Sequence, residues 1–259
     1  FVLGEQGQLG AVDWVFNGWG NNDWADWLPD RPTARMIAGM AGAELISSTL
    51  VNEGGGIHVD GQGTVLLTDT VQLDPRRNPE ATRASVEAEM ARTLGATNPV
   101  WLSRGLYRDT QAFGTNGHVD IVATIPSPGV ILLHEQEDPN HPDHAIVRAL
   151  RAELAGATDA AGRPFQILGL PAPALPRDEE DWVDCSYVNH LVVNGGVIAC
   201  GFGEEKADAR AREILGAAYP GRKVVTVDAR ELFARGGGIH CITQHQPVSG
   251  ASAVAGAAK

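Results

Sequence analysis

Apolar positions along this chain follow two periods, and the two alternate in a repeating order. Short runs such as Thr64–Thr68, with Val65-Leu66-Leu67 at its centre, have the length and composition of strands. Segments with apolar residues three and four apart, such as Ile146, Val147, Leu150 and Leu154, read as amphipathic helices. Four hairpins follow. Phe1–Leu3 and Ala11–Phe16 flank the glycine-rich turn Gly4–Gly10, and Glu53–Asp60 meets Thr64–Thr68 at Gly61-Gln62-Gly63. His118–Ile125 meets Val130–His134 at Ser127-Pro128-Gly129, and Tyr187–Val193 meets Val197–Phe202 at Asn194-Gly195-Gly196. Val100–Leu102, Phe165–Leu170 and Lys223–Asp228 are single strands.

Helices are predicted over Pro32–Leu45, Pro79–Leu94, His144–Leu154 and Lys206–Ala218, with a short one at Ala229–Phe233. Pro171–Pro176 is a proline-rich connection. Asn17–Trp27 fits neither period. With Trp14 just before it, it holds Trp19, Trp24 and Trp27 among Asn and Asp residues, which suggests a structured loop whose rings either wall a pocket or anchor the loop. The rhythm is hairpin, helix, strand, then a glycine-rich corner. Repetition of such an α/β unit points to modules about an axis, with corners that converge. A single domain over residues 1–259 is the expected organisation.

Charge narrows the partners. A net charge of −12 over 259 residues argues against nucleic acid and anionic membranes and favours a small cation. No apolar run reaches membrane-spanning length. Three cysteines at irregular spacing make neither a disulfide framework nor a zinc site, and a reducing cytoplasm is the expected compartment.

The corners carry the chemistry. Gly236-Gly237-Gly238-Ile239-His240 leads into Cys241, and the same pentapeptide occurs at Gly54–His58, directly after Glu53. A third corner reads Gly117-His118-Val119-Asp120. Cysteine, histidine and carboxylates together suit nucleophilic catalysis. A buried structural cysteine, a metal site and a papain-like hydrolase are the alternatives. No HExxH or CxxC spacing supports the metal, and a papain-like cysteine precedes its histidine instead of closing a β-rich module. Two corner carboxylates suggest a positively charged electrophile, with guanidinium the obvious candidate.

These blocks resemble the signature of agmatine deiminases, in the guanidine-modifying branch that includes bacterial peptidylarginine deiminases. The resemblance rests on Val12–Gly20, Glu53–Asp60, Arg77-Asn78-Pro79, Thr115–Asp120, Asn194–Ile198 and Gly236–Gln244. It implies a pentein fold, an α/β propeller of five modules about a pseudo-fivefold axis, with the first module missing from this sequence. It implies that Cys241 attacks a guanidinium carbon and that His118 handles protons. Asp120 then holds guanidinium nitrogens, and Glu53 supports both the histidine and the cation. Trp14 and Trp19 are candidate pocket walls, and Gly238 is candidate backbone against the ligand. His58 and His240 are read as structural neighbours.

The resemblance implies no cofactor and no metal, agmatine as substrate and N-carbamoylputrescine and ammonia as products, with a homodimer as a candidate assembly. Peptidylarginine, another alkylguanidine, or mere guanidinium binding is the alternative. The chain departs from the family pattern in lacking an N-terminal stretch with a guanidinium-binding Asp. It also carries the insert Thr110–Gly114, and Ile121 stands where Asn is common.

Overall fold

The computed structural model describes residues 1–174 and 182–249. Its strands fall into four separate three-stranded sheets, each ordered as it runs in the chain. In every sheet an antiparallel hairpin is followed by a helix and a third strand parallel to the middle one. The first module holds β1 (Val2–Leu3), β2 (Leu9–Val15), α1 (Thr33–Ala41) and β3 (Glu44–Val51). The second holds β4 (Ile57–Val59), β5 (Thr64–Thr68), α2 (Arg83–Leu94) and β6 (Asn98–Leu102). The third holds β7 (Ala123–Ser127), β8 (Val130–Glu135), α3 (Pro142–Ala155) and β9 (Gln166–Pro171). The fourth holds β10 (Leu191–Val193), β11 (Gly196–Gly201), α4 (Glu205–Ala218) and β12 (Lys223–Asp228).

Middle strands are the most buried because both their faces are covered. All five residues of β5 are buried, as are Ile131 to His134 of β8, which is why they read as unbroken apolar runs. One cluster of buried side chains runs from Leu66 and Leu102 through Ile131, Leu150 and Tyr187 to Phe233 and Ile239, so the second, third and fourth modules share a core. Val65, Leu67, Val86, Met90 and Ala96 form a second cluster between β5 and α2.

Several boundaries differ from the sequence reading. The helix expected to reach Leu45 stops at Ala41, where Gly42 takes the left-handed conformation (φ 64°) and its N–H closes onto the last turn. Glu44–Val51 is then a strand, hidden in the sequence by Ser47-Ser48-Thr49 and by its partly exposed pattern. The helix expected from Pro79 starts at Arg83, because Thr82 and Ser85 form a reciprocal cap. Gly54–Gly56 and Val119–Ile121 are single tight turns ahead of their strands. Ser186–His190 is not strand. Its backbone turns locally, with Asn189 N donating to Ser186 O at 3.4 Å and His190 N to Val188 O at 2.8 Å. Pro171 ends β9, and Leu175 and Pro176 of the proline-rich connection lie outside the described residues.

Candidate active site

The glycine-rich corners of different modules meet. Glu53, at the entry to the second module, receives Arg77 Nε on Oε1 at 3.0 Å and faces His118 Nε2 across Oε2 at 3.0 Å. Arg77 is fully buried and is further held by Asp74 Oδ2 at 3.1 Å and the carbonyl of Thr115 at 2.7 Å. Burial by itself would raise the Glu53 carboxyl, but His118 and Arg77 outweigh it and hold the group below its ordinary value. The mirror argument applies to His118. Burial would lower it, yet the Glu53 hydrogen bond and charge, with Asp120 and Asp109 behind, hold it above its ordinary value. The pair is therefore an ionised imidazolium–carboxylate couple over the range between the two.

His118 is aimed by its own backbone. Asp109 gathers the turn before it, accepting from Thr115 N at 2.6 Å, Gly117 N at 2.7 Å and His118 N at 2.9 Å. Gly55 must be glycine for the corners to meet, since a Cβ there would press on His118 Nδ1 and the Asp120 carboxylate.

Asp120 joins a second histidine, His240, to the cysteine. Its Oδ2 lies 2.9 Å from His240 Nδ1 and 3.3 Å from Cys241 Sγ, while its Oδ1 is buried with no hydrogen-bond partner. Burial would raise Asp120, but the His240 hydrogen bond and the charge of His118 keep it low and ionised. Cys241 is exposed as a residue, and its thiol is pushed up by desolvation of the sulfur and by the Asp120 charge. A cation placed on Asp120 would offset both effects.

Glu53, His118, Asp120 and Cys241 are thus brought to one centre, and Gly238 is buried just behind the cysteine. The two tryptophans separate. Trp14, on β2, packs against the second core cluster. Trp19 stacks on Trp24 at 5.2 Å, and Trp24 meets Phe113 at 5.8 Å, whose carbonyl lies near Gly236. The insert Thr110–Gly114 thereby brings Phe113 to the cysteine corner. The loop of Asn17–Trp27 is structured as expected, with left-handed turns at Trp19 (φ 56°) and Gly20 (φ 94°).

Four residues at the centre escaped the sequence reading in role. Arg77 lies in the Arg77-Asn78-Pro79 block, whose resemblance implies no role for it. Asp74 and Asp109 carry no spacing signal. Asn189 was read as part of a strand, although its buried carboxamide contacts both Cys241 and Asp120. Among the described residues no group of three or more His, Cys, Asp or Glu has metal-holding geometry, and no helix is long and apolar enough to cross a membrane.

Known proteins resemble this chain in sequence and fold. Residues 1–247 match the family described as Porphyromonas-type peptidyl-arginine deiminase. A curated Streptomyces coelicolor relative, whose agmatine deiminase name is itself provisional, is 54% identical over 248 residues, or 95% of this chain and 73% of that protein. The agmatine deiminase of Pseudomonas putida KT2440 is 38% identical over 269 aligned positions, covering 95% of this chain and 72% of its own. A solved structure titled as agmatine deiminase of Enterococcus faecalis catalysing its reaction superposes with a TM-score of 0.87 at 32% identity, over 95% of this chain and 72% of that one.

The chain is therefore a hydrolase of the class that acts on carbon–nitrogen bonds of amidines. It belongs to the Porphyromonas-type peptidyl-arginine deiminase family, and the resemblance to agmatine deiminases of the pentein superfamily stands. Among the described residues the four sheets are separate, and none of them closes on itself.

Proposed function

We propose that this protein hydrolyses the guanidinium of agmatine to N-carbamoylputrescine and ammonia through a covalent intermediate on Cys241. The observation that carries the reading is Asp120. One of its oxygens lies 3.3 Å from the Cys241 sulfur, and the other is buried without a partner, an acceptor suited to a guanidinium N–H. Binding the cation there sets its carbon beside Sγ and lowers the cost of the thiolate.

The thiol proton leaves to solvent, and the thiolate attacks the guanidinium carbon. His118, protonated through Glu53, gives its proton to one amino group, which departs as ammonia and leaves an amidino-thioether. The neutral His118 then takes a proton from water. The hydroxide adds to the same carbon, the C–S bond breaks, the added hydroxyl gives its proton to solvent as the carbonyl forms, and the urea-type product leaves with the thiolate restored. Both Glu53 oxygens are engaged, by Arg77 and by His118, so its main task is to hold the histidine charged and aimed. Trp19, Trp24 and Phe113 wall the approach, whereas Trp14 anchors β2.

The same reading makes the four modules blades of a pseudo-fivefold arrangement and places the protein in the cytoplasm. The test is ammonia release from agmatine, free arginine and a peptidylarginine at equal concentrations. Agmatine is expected to exceed free arginine in kcat/KM by about a hundredfold, because the α-carboxylate of arginine enters an acidic pocket unpaired. Comparable rates, or preference for the peptide, would replace agmatine as the substrate.

A further inference from the structure

Asn189 sits where the cysteine and aspartate corners touch, and no step above uses it. Its side chain is fully buried at the end of the Ser186–His190 turn. Oδ1 accepts from His240 N at 2.8 Å and from Cys241 N at 3.4 Å. Two backbone donors on that side settle which end of the amide is oxygen. The other end, Nδ2, donates to the Asp120 carbonyl at 3.2 Å and to Cys241 Sγ at 3.1 Å. The residue is itself pinned, since Cys200 Sγ donates to its carbonyl at 3.0 Å and Ser186 O accepts from its N–H at 3.4 Å. Gly238 has no room for a Cβ, which would collide with Asn189 Oδ1 and the Phe233 ring. A carboxamide that only braced two loops would not need a donor on the sulfur.

We propose that Asn189 activates Cys241, its Nδ2–H stabilising the thiolate against the neighbouring Asp120 carboxylate while its Oδ1 fixes the cysteine backbone. The inference rests on the reading of Cys241 as the nucleophile. Only the S–H bond breaks in this step, and in the substrate-free protein the proton goes to solvent. Asp120 Oδ2, 3.3 Å from the sulfur, disfavours the negative charge; the Gly238 backbone and Asn189 Nδ2 both oppose it, and Asn189 is the buried side chain that does so. Removing that donor should therefore move the thiol upward, a consequence that a bracing role does not have.

The experiment is the pH dependence of alkylation of Cys241 by iodoacetamide, read at the peptide level so that Cys185 and Cys200 are separated. Wild type is compared with Asn189→Asp, which keeps the shape and replaces the donor with an acceptor, and with Asn189→Ser. The alkylation midpoint is expected to rise by roughly one to two pH units in the neutral Asn189→Ser, the size of a hydrogen bond to a charged group, and further in Asn189→Asp, whose carboxylate adds a negative charge beside the sulfur. Turnover of agmatine should fall at least about tenfold with KM changed less than about threefold, since Asp120 Oδ1 is untouched. A lost turnover with an unchanged alkylation midpoint would reduce Asn189 to a brace and overturn the proposal.

Thermal unfolding identifies a variant that has lost its fold. If both have, the Asn189 side-chain amide resonance is followed in wild type. It should titrate with Cys241, and a flat response overturns the proposal. Turnover surviving in Cys241→Ala would instead sink the nucleophile reading, which the alkylation profile does not depend on.

Discussion

The pentapeptide Gly-Gly-Gly-Ile-His occurs twice in this chain and is put to opposite uses. At Gly54–His58 the glycines make a tight turn, and the isoleucine and histidine enter β4. There His58 Nε2 lies 2.8 Å from Thr124 Oγ1, and burial, with the charges of His240 and His190, pushes the ring down to about 3. That histidine is neutral and structural. At Gly236–His240 no strand follows among the described residues. His240 Nδ1 instead points to Asp120 Oδ2 at 2.9 Å, and the next residue is Cys241. The local sequence is identical, so the difference lies in what the rest of the chain brings to each copy: a strand partner to the first, a carboxylate and Asn189 to the second. Glycine corners allow close approach. They do not choose the chemistry.

That contrast can be broken most severely at the residue after the second copy. Cys241→Ala should reduce ammonia release by at least about 10⁴-fold, the scale seen when a nucleophile is removed. Cys185 and Cys200 changed to Ser should lose less than about tenfold, since neither has a place in the chemistry. Retained turnover in Cys241→Ala would show that the second corner is as structural as the first.

The residue before the first copy comes next. Glu53→Gln is expected to lower kcat about 10²–10³-fold, the range for losing support to an acid–base group. It should also destabilise the fold by about 3 kcal/mol, because Arg77 loses a buried partner while keeping Asp74. The pH dependence has a definite sign. His118 is raised above 6.5, so its share of the stability is complete below 6.5 and fades as pH climbs through its folded value. Glu53 is lowered below 4.5, so its share is complete above 4.5 and fades as pH falls through its folded value. The gap in melting temperature between wild type and Glu53→Gln should be widest between pH 4.5 and 6.5. A gap independent of pH would mean that the pair is not ionised.

The two histidines give the smallest and sharpest pair. His240→Asn should cost about tenfold in kcat, since Asp120 loses a hydrogen bond that keeps it low and placed. His58→Asn should leave kcat within about twofold and cost about 1 kcal/mol of stability, the worth of one partly buried hydrogen bond. Steady-state kinetics alongside thermal melts separate the two, and equal kinetic losses would erase the contrast.

Much of this is legible in the amino-acid sequence. The four hairpins with their turns follow from period-two runs and glycine-rich breaks, and the repeated order pointed to modules. Glu53, His118, Asp120 and Cys241 stood out because reactive residue types recur beside glycine corners. What escaped depended on contacts across modules. β3 has too many serines and too much exposure to show a clear period. Asn189 lies in a run rich in strand-forming residues, Tyr187-Val188 before it and Leu191-Val192-Val193 after, so only its buried contacts reveal it. Trp14 and Trp19 are alike in composition, yet one meets the core under β5 and the other stacks on Trp24, a division that depends on which module each ring reaches.

The central claim is that the Cys241 sulfur forms a bond to the substrate's guanidinium carbon. Acid-quenched samples of the protein turning over agmatine, measured by intact mass and then by peptide mapping, test it directly. The account predicts a transient species heavier by the mass of agmatine less ammonia, with the added mass on Cys241 and decay as product forms. Turnover that proceeds with no such species, even on quenching within a single turnover, or an adduct mapped to another residue, would contradict it.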